Sequence, residues 1–208
     1  MTKKSREKGF TLIELAIVLV VIGIIIGAIL KGQDLIENAR HKKFANEIKL
    51  WDTLTWAFLD RKGRFPGDGD RDGVIGEDAG DNVKTDLQTL ANSPTENSLT
   101  LGSFRFYLWL GNDGVTPKPK NILTITNGAT TAGSVAFSSD ELAYMESFDA
   151  SIDGVSDGAA GRVRGSNSAP TVASGTWVGT LTGLAAPPAD AWTSATTALV
   201  YYFDRKPE

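Results

Sequence analysis

Cysteine is absent from all 208 residues, which excludes disulfides, thiolate zinc sites, iron–sulfur clusters and a cysteine nucleophile. Export stays open, since many exported proteins lack cysteine. There is a single histidine, His41, so histidine-based triads elsewhere in the chain are excluded. Set among Arg40, Lys42 and Lys43, it reads as part of a solvated basic face or a contact to lipid phosphates, with no second ligand one turn away to complete a metal site. No Gly-Lys-Ser or Gly-Lys-Thr phosphate loop is present. A formal net charge of -4 argues against nucleic acid as the main partner, because phosphate binding needs clustered Lys and Arg. Carboxylate-pair hydrolysis is not excluded, given 25 acidic residues. The length suits one folded domain plus an appendage.

What the chain does contain is one long apolar run. Residues 10–30 are interrupted only by Glu14. As a helix rising about 1.5 Å per residue, this run is roughly 31 Å long, close to the hydrocarbon thickness of a bilayer. It is longer than the apolar stretch of a secretory signal and no small-residue cleavage site follows it, so it is expected to stay attached. The leader, residues 1–9, carries Lys3, Lys4, Arg6 and Lys8 against Glu7, which suits a cytoplasmic side. Lys31, Arg40, Lys42 and Lys43 beyond the run match it in number, so charge alone does not fix the orientation. An ionised side chain inside a bilayer costs about 2.5–3.5 kcal/mol, so Glu14 calls for a partner, most naturally an amine.

Lys8-Gly9-Phe10-Thr11-Leu12-Ile13-Glu14-Leu15, behind a basic leader and ahead of the apolar run, resembles the processing motif of type IV prepilins and type II secretion pseudopilins. The resemblance implies cleavage between Gly9 and Phe10 by a membrane prepilin peptidase, N-methylation of Phe10, and packing of the apolar helix into a filament core with Glu14 serving assembly. The implied partners are that peptidase and methylase, like or related pilin subunits, an inner-membrane assembly platform and membrane lipid, with no nucleic acid expected. The precursor would be a single-pass inner-membrane protein with its head outside the cytoplasm, later part of a periplasmic or extracellular filament. Such a subunit is structural and has no catalytic residues. Cleavage would place a new amine on Phe10, four residues before Glu14; the amine of an adjacent subunit would serve equally. The alternative is an uncleaved signal anchor carrying an exported binding protein or hydrolase, with Glu14 snorkelling near the interface. Major pilin, minor pilin and pseudopilin are not separated at this level.

Beyond Leu30 the pattern becomes amphipathic. Leu35, Ile36, Ala39, Phe44, Ile48, Trp51, Leu54 and Phe58 fall on one helical face, and nothing breaks the helix before Gly63 and Pro66. The expected helix covers about residues 10–60 and is roughly 75 Å long. The chain therefore divides into a leader at 1–9, a transmembrane or filament-core helix at 10–31, its amphipathic continuation at 32–62, and a head at 63–208. The expected fold class is α+β and pilin-like, with the long helix packed on a small head of antiparallel sheet and short helices. Ser138 with Glu141 fits a capping box opening a helix. Strands are expected at 122–126, 134–137, 161–164, 176–181 and 198–203. Alternation at 104–110 suits a strand, whereas resemblance to a prepilin-like group makes the same residues a short aromatic helix. That resemblance also gives a Pro-Gly-Asp turn at 65–68 and a second helix at 138–153 with an Asp-Gly turn, followed by Gly161-Arg162-Val163-Arg164; residues 155–160 depart from it in length. Residues 185–188 read as a surface connection.

Residues 68–81, DGDRDGVIGEDAGD, place Asp68, Asp70 and Asp72 at alternate positions, followed by Gly73, Val74 and Ile75. This follows the first eight positions of an EF-hand calcium loop, in which Val74 would offer its backbone carbonyl. The twelfth position is Ala79 where a bidentate Glu is expected, leaving Glu77, Asp78 or Asp81 to substitute. Structural calcium is the one cofactor expected, and a solvated acidic turn is the alternative. Asp149, Asp153 and Asp157 form a sparser set, read as a solvated acidic group without metal.

Overall fold

The computed structural model describes residues 9–182, 184 and 186–205. Residues 1–8 of the expected leader, Ala185 of the expected surface connection and residues 206–208 lie outside the described residues. The first helix, α1 (Leu12–Lys62), takes part in two compact units, residues 1–40 and residues 41–208.

In the first unit, every residue of 10–30 is exposed, from Phe10 at 93% to Ile22 at 46% among the large side chains. Among the described residues, α1 is the one helix long and apolar enough to cross a membrane. In the second unit, Phe44, Ile48, Trp51, Leu54 and Phe58 are buried at the helical spacing read from the sequence, while Leu35, Ile36 and Ala39 before them are exposed. Gly63 ends the helix in a left-handed conformation, donating its N–H to the Leu59 carbonyl at 2.8 Å.

The head sheet has seven strands: β1 (Ser98–Leu101), β2 (Phe104–Asn112), β3 (Asn121–Thr126), β4 (Val163–Ser166), β5 (Thr171–Ala173), β6 (Val178–Thr180) and β7 (Ala198–Tyr201). Their order is β4-β7-β3-β2-β6-β5, with β1 pairing the first half of β2 on the side that β6 takes further along. The sheet is mixed and not wholly antiparallel, since β6 joins β2 in parallel at Leu110 and Val178. This junction needs Gly111, where a Cβ would stand 2.1 Å from the Gly179 carbonyl oxygen.

Residues 104–110 are a strand, which corrects the short helix implied by resemblance. Phe106, Leu108 and Leu110 point into the main core while Trp109 is buried on the other face, its indole N–H donating to Thr126 Oγ1 at 2.9 Å. The core is aromatic: Phe44 of α1 meets Phe106 edge-on at 5.2 Å, and Trp51 lies 5.6 Å from Trp177. A smaller cluster of Ile122, Leu181, Val200 and Tyr202 forms apart from it.

Helix α2 (Val83–Leu87) precedes the sheet, and α3 (Ser139–Asp153) opens as expected. Ser138 Oγ accepts the Glu141 N–H at 3.3 Å and Glu141 Oε2 accepts the Ser138 N–H at 2.8 Å. Gly154 closes α3 at φ +81. The expected strand at 134–137 is not formed, because a 3-10 turn at Thr131–Gly133 leads directly toward α3 and the Val135 N–H goes to Asn127 Oδ1. The strand expected at 176–181 is reduced to β6, since Trp177 has φ +58 and cannot continue an extended ladder. His41 departs from the solvated reading: it is partly buried and stacks on Tyr144 at 4.5 Å.

The outer strands meet polar groups from elsewhere in the chain. Asp190 bridges Gly165 of β4, and its carboxylate accepts the Asn167 N–H. Val172 of β5 donates its N–H to Thr131 Oγ1 at 2.9 Å, and Thr100 of β1 gives its carbonyl to Lys43 Nζ at 3.4 Å.

Candidate functional site

The start of α1 is organised by two side chains three residues apart. Glu14 Oε2 accepts both the Thr11 backbone N–H and the Thr11 hydroxyl, each at 2.8 Å, and Thr11 Oγ1 accepts the Glu14 N–H at 3.3 Å. This is a reciprocal capping box that satisfies donors left over at the helix start. Within the chain, then, the Glu14 carboxylate is held by Thr11. Thr-x-x-Glu is a signal the sequence carries plainly, and the reading of Glu14 as a charge alone passed over it. Gly9 and Phe10 lie just outside the helix, both exposed, and nothing stands within 4 Å of where a Gly9 Cβ would be. This position is exposed, and an apolar helix follows it directly.

Residues 4–30 match the family model for the prokaryotic N-terminal methylation motif. No curated protein and no solved structure matches the chain. The matched methylation motif is of the type IV prepilin type and supports a pilin- or pseudopilin-like precursor. The motif and the exposed apolar helix are consistent with a membrane-anchored precursor.

The acidic loop is the second place where sequence and structure converge. One carboxylate oxygen from each of Asp68, Asp70 and Asp72 lies within 4.8 Å of the others, with Asp68 buried and the other two exposed. Each also accepts backbone N–H groups: Asp68 from Arg71 at 2.7 Å and Gly73 at 3.2 Å, Asp70 from Asp72 at 3.1 Å, and Asp72 from Val74 at 2.8 Å. A carboxylate oxygen has two lone pairs, so these bonds leave room for a cation. Glu77, Asp78 and Asp81 stand outside the group of three. Asp81 is spent closing the loop, accepting the Gly69 N–H at 3.1 Å and the Asp78 N–H at 3.0 Å. Glu77 is pushed up to about 7 by a hydrogen bond with Asp72, with burial and the charges of Asp72, Asp70 and Asp78 adding to it. Burial also raises Asp68, and Asp72 and Asp70 reinforce the shift.

Asn121, which has no local signature, pins this loop. Its side chain accepts the Ile75 N–H at 2.9 Å and donates to the Gly73 carbonyl at 2.8 Å, while Ile75 is fully buried. Arg64 and Asp86 hold the loop's entry through a fork of two bonds, 2.7 and 2.9 Å, and Asp86 also accepts the Gly67 N–H. The second acidic set is committed to the chain. Asp149 accepts Gly158 N–H and the Trp192 indole, Asp153 accepts Arg162 and Val163 N–H groups, and Asp157 accepts those of Ala159 and Ala160.

Proposed function

We propose that the chain is a structural subunit, whether pilin, minor pilin or pseudopilin, of a type IV pilus or type II secretion-like filament. Prepilin peptidase cuts between Gly9 and Phe10, the new N-terminus is methylated, and subunits associate through residues 10–31 while the head stays outside the cytoplasm. The observation that carries this reading is the methylation motif leading into an apolar helix segment with no burial of its own. Roughly 25 cal/mol per Å² of apolar surface favours covering that segment, by lipid before assembly and by neighbouring helices after it. N-terminal sequencing of the protein in sheared surface or periplasmic filaments tests the proposal. A methylated sequence starting at Phe10 is the expected result; a membrane monomer retaining Met1 overturns it and favours the signal-anchor alternative.

We also propose that the acidic loop takes a structural calcium ion. Asp68, Asp70 and Asp72 supply its first ligands, and Glu77 joins them by releasing the proton it shares with Asp72. Asp81, whose oxygens accept the Gly69 and Asp78 N–H groups, holds the loop backbone, and neither it nor Asp78 joins the ion.

A further inference from the structure

The two halves of the Thr11–Glu14 box act on different groups. Glu14 Oε2 serves the Thr11 N–H and hydroxyl, whereas Thr11 Oγ1 accepts the Glu14 N–H at 3.3 Å. The second of these sets where α1 begins. The first bond of α1 runs from the Leu15 N–H to the Thr11 carbonyl at 3.2 Å, and Gly9, Phe10 and Thr11 lie outside the helix. Without a cap, the Glu14 N–H can turn to the Phe10 carbonyl and the Ile13 N–H to the Gly9 carbonyl, which is one more helical turn. Water is the other partner open to a helix end, and in an apolar run that enters a bilayer it is scarce. An uncapped α1 therefore gains by winding back through Phe10 and Gly9. Gly9 disfavours that winding, yet neither Phe10 nor Leu12 has a side-chain acceptor that could replace the Thr11 oxygen.

From this we infer that Thr11 is a positioning residue for the processing cut: its side-chain oxygen starts α1 at Leu12 and so keeps the Gly9–Phe10 peptide extended for the peptidase. Winding back would hide the bond to be cut. Inside a helix the Gly9 carbonyl is committed to the Ile13 N–H and packed into a turn, whereas an extended peptide leaves that carbonyl free to be polarised and attacked. The inference rests on the processing reading given above and adds to it a residue that contacts neither side of the cut bond. It also divides the box by stage, with Thr11 Oγ1 acting at cleavage and the Glu14 carboxylate at assembly.

The experiment reconstitutes the full-length chain in phosphatidylethanolamine–phosphatidylglycerol vesicles with a purified prepilin peptidase and follows the loss of residues 1–9 by mass. Thr11→Val keeps the branched shape and removes the acceptor. Thr11→Ser and Thr11→Asn keep a capping oxygen on side chains of different shape, and Glu14→Ala leaves Thr11 Oγ1 its N–H partner. With limiting peptidase, Thr11→Val should be cut about fivefold more slowly than the wild type, the population shift that loss of one cap brings, while the other three stay within about twofold of it. A wild-type rate for Thr11→Val overturns the inference. So does a slow Thr11→Asn beside a fast Thr11→Ser, which would mean that the peptidase reads the hydroxyl itself. An uncut wild type overturns the processing reading and this inference with it, whereas a cut wild type upholds that reading whatever Thr11→Val does.

Discussion

Glu14 carries two duties that substitution can separate. As a cap it accepts the Thr11 N–H and hydroxyl, satisfying donors left over at the helix start. As a charge it is positioned to meet an amine, which in the proposed filament is that of Phe10. Glu14→Gln keeps an oxygen for Thr11 and removes the charge, whereas Glu14→Ala removes both. We expect both variants to be inserted and cleaved normally, because losing the carboxylate eases insertion, and both to accumulate as membrane monomers. Filament yield after shearing, with the variant as sole subunit, is the measurement; wild-type yield from Glu14→Gln would assign the residue to capping alone. At Gly9 the expected effect is upstream of assembly. Gly9→Val should stay membrane-bound and unprocessed, because a branched side chain does not fit a peptidase site shaped for a residue without Cβ, and a mature mass in this variant would refute that. These residues stand out in the sequence because their chemistry is local: a carboxylate in an apolar run and a glycine before it need no folded partner to be noticed.

At the scale of elements, the two long helices and strands β3, β4 and β7 were readable, and β1, β5 and α2 were not. The buried face of α1 from Phe44 to Phe58 and the Ser138–Glu141 box of α3 are written in spacings of three and four residues. β1, β5 and α2 have three to five residues each, and what fixes them is remote, such as Thr131 on β5 or Thr176 accepting the Lys84 N–H beside α2. For 104–110 the period-two alternation was the better guide than likeness to a helix. The Arg64–Asp86 fork, spanning 22 residues, is of the same remote kind. Asp86→Asn should destabilise the head by about 2 kcal/mol, because Arg64 keeps its charge while losing half of a part-buried pair. Urea unfolding measures this, and hydrogen exchange should show the Gly67 amide losing protection first; unchanged unfolding would make the fork a surface ornament.

For the whole molecule the balance of charge matters most. The proposed cleavage after Gly9 would remove four basic side chains and one acidic one, leaving 17 basic and 24 acidic, a net of -7. With free calcium at about ten times its dissociation constant, binding at the acidic loop should stabilise the fold by about 1.4 kcal/mol and raise the melting midpoint by a few degrees, and magnesium should do less. Asp70→Ala combined with Asp72→Ala should abolish the difference, and an equal rise with magnesium would leave the loop a solvated turn. Without calcium the pH dependence has a defined sign. Glu77 is held at about 7 against an ordinary 4.5, and burial raises Asp52, Asp149 and Asp204. A raised carboxyl makes the folded state the better proton binder, so its stabilisation is complete below the unfolded value and is lost as pH rises through the folded one. The metal-free chain should therefore melt higher near pH 5 than near pH 8, with the Glu77 part lost between 4.5 and about 7. Calcium needs the ionised form, so its benefit should grow across that window; a calcium increment that shrinks with rising pH would exclude Glu77 as a ligand.

The polar groups set along β4, β5 and β1 bear on life in a crowd. An exposed strand edge is a template on which another chain can crystallise into a fibre that does not come apart. Here the Asp190 carboxylate, the Thr131 hydroxyl and the Lys43 ammonium occupy backbone positions that an incoming strand would use. Heads held at very high local concentration can then touch through side chains and part again unchanged. In the proposed filament such subunits would separate again instead of fusing strand to strand.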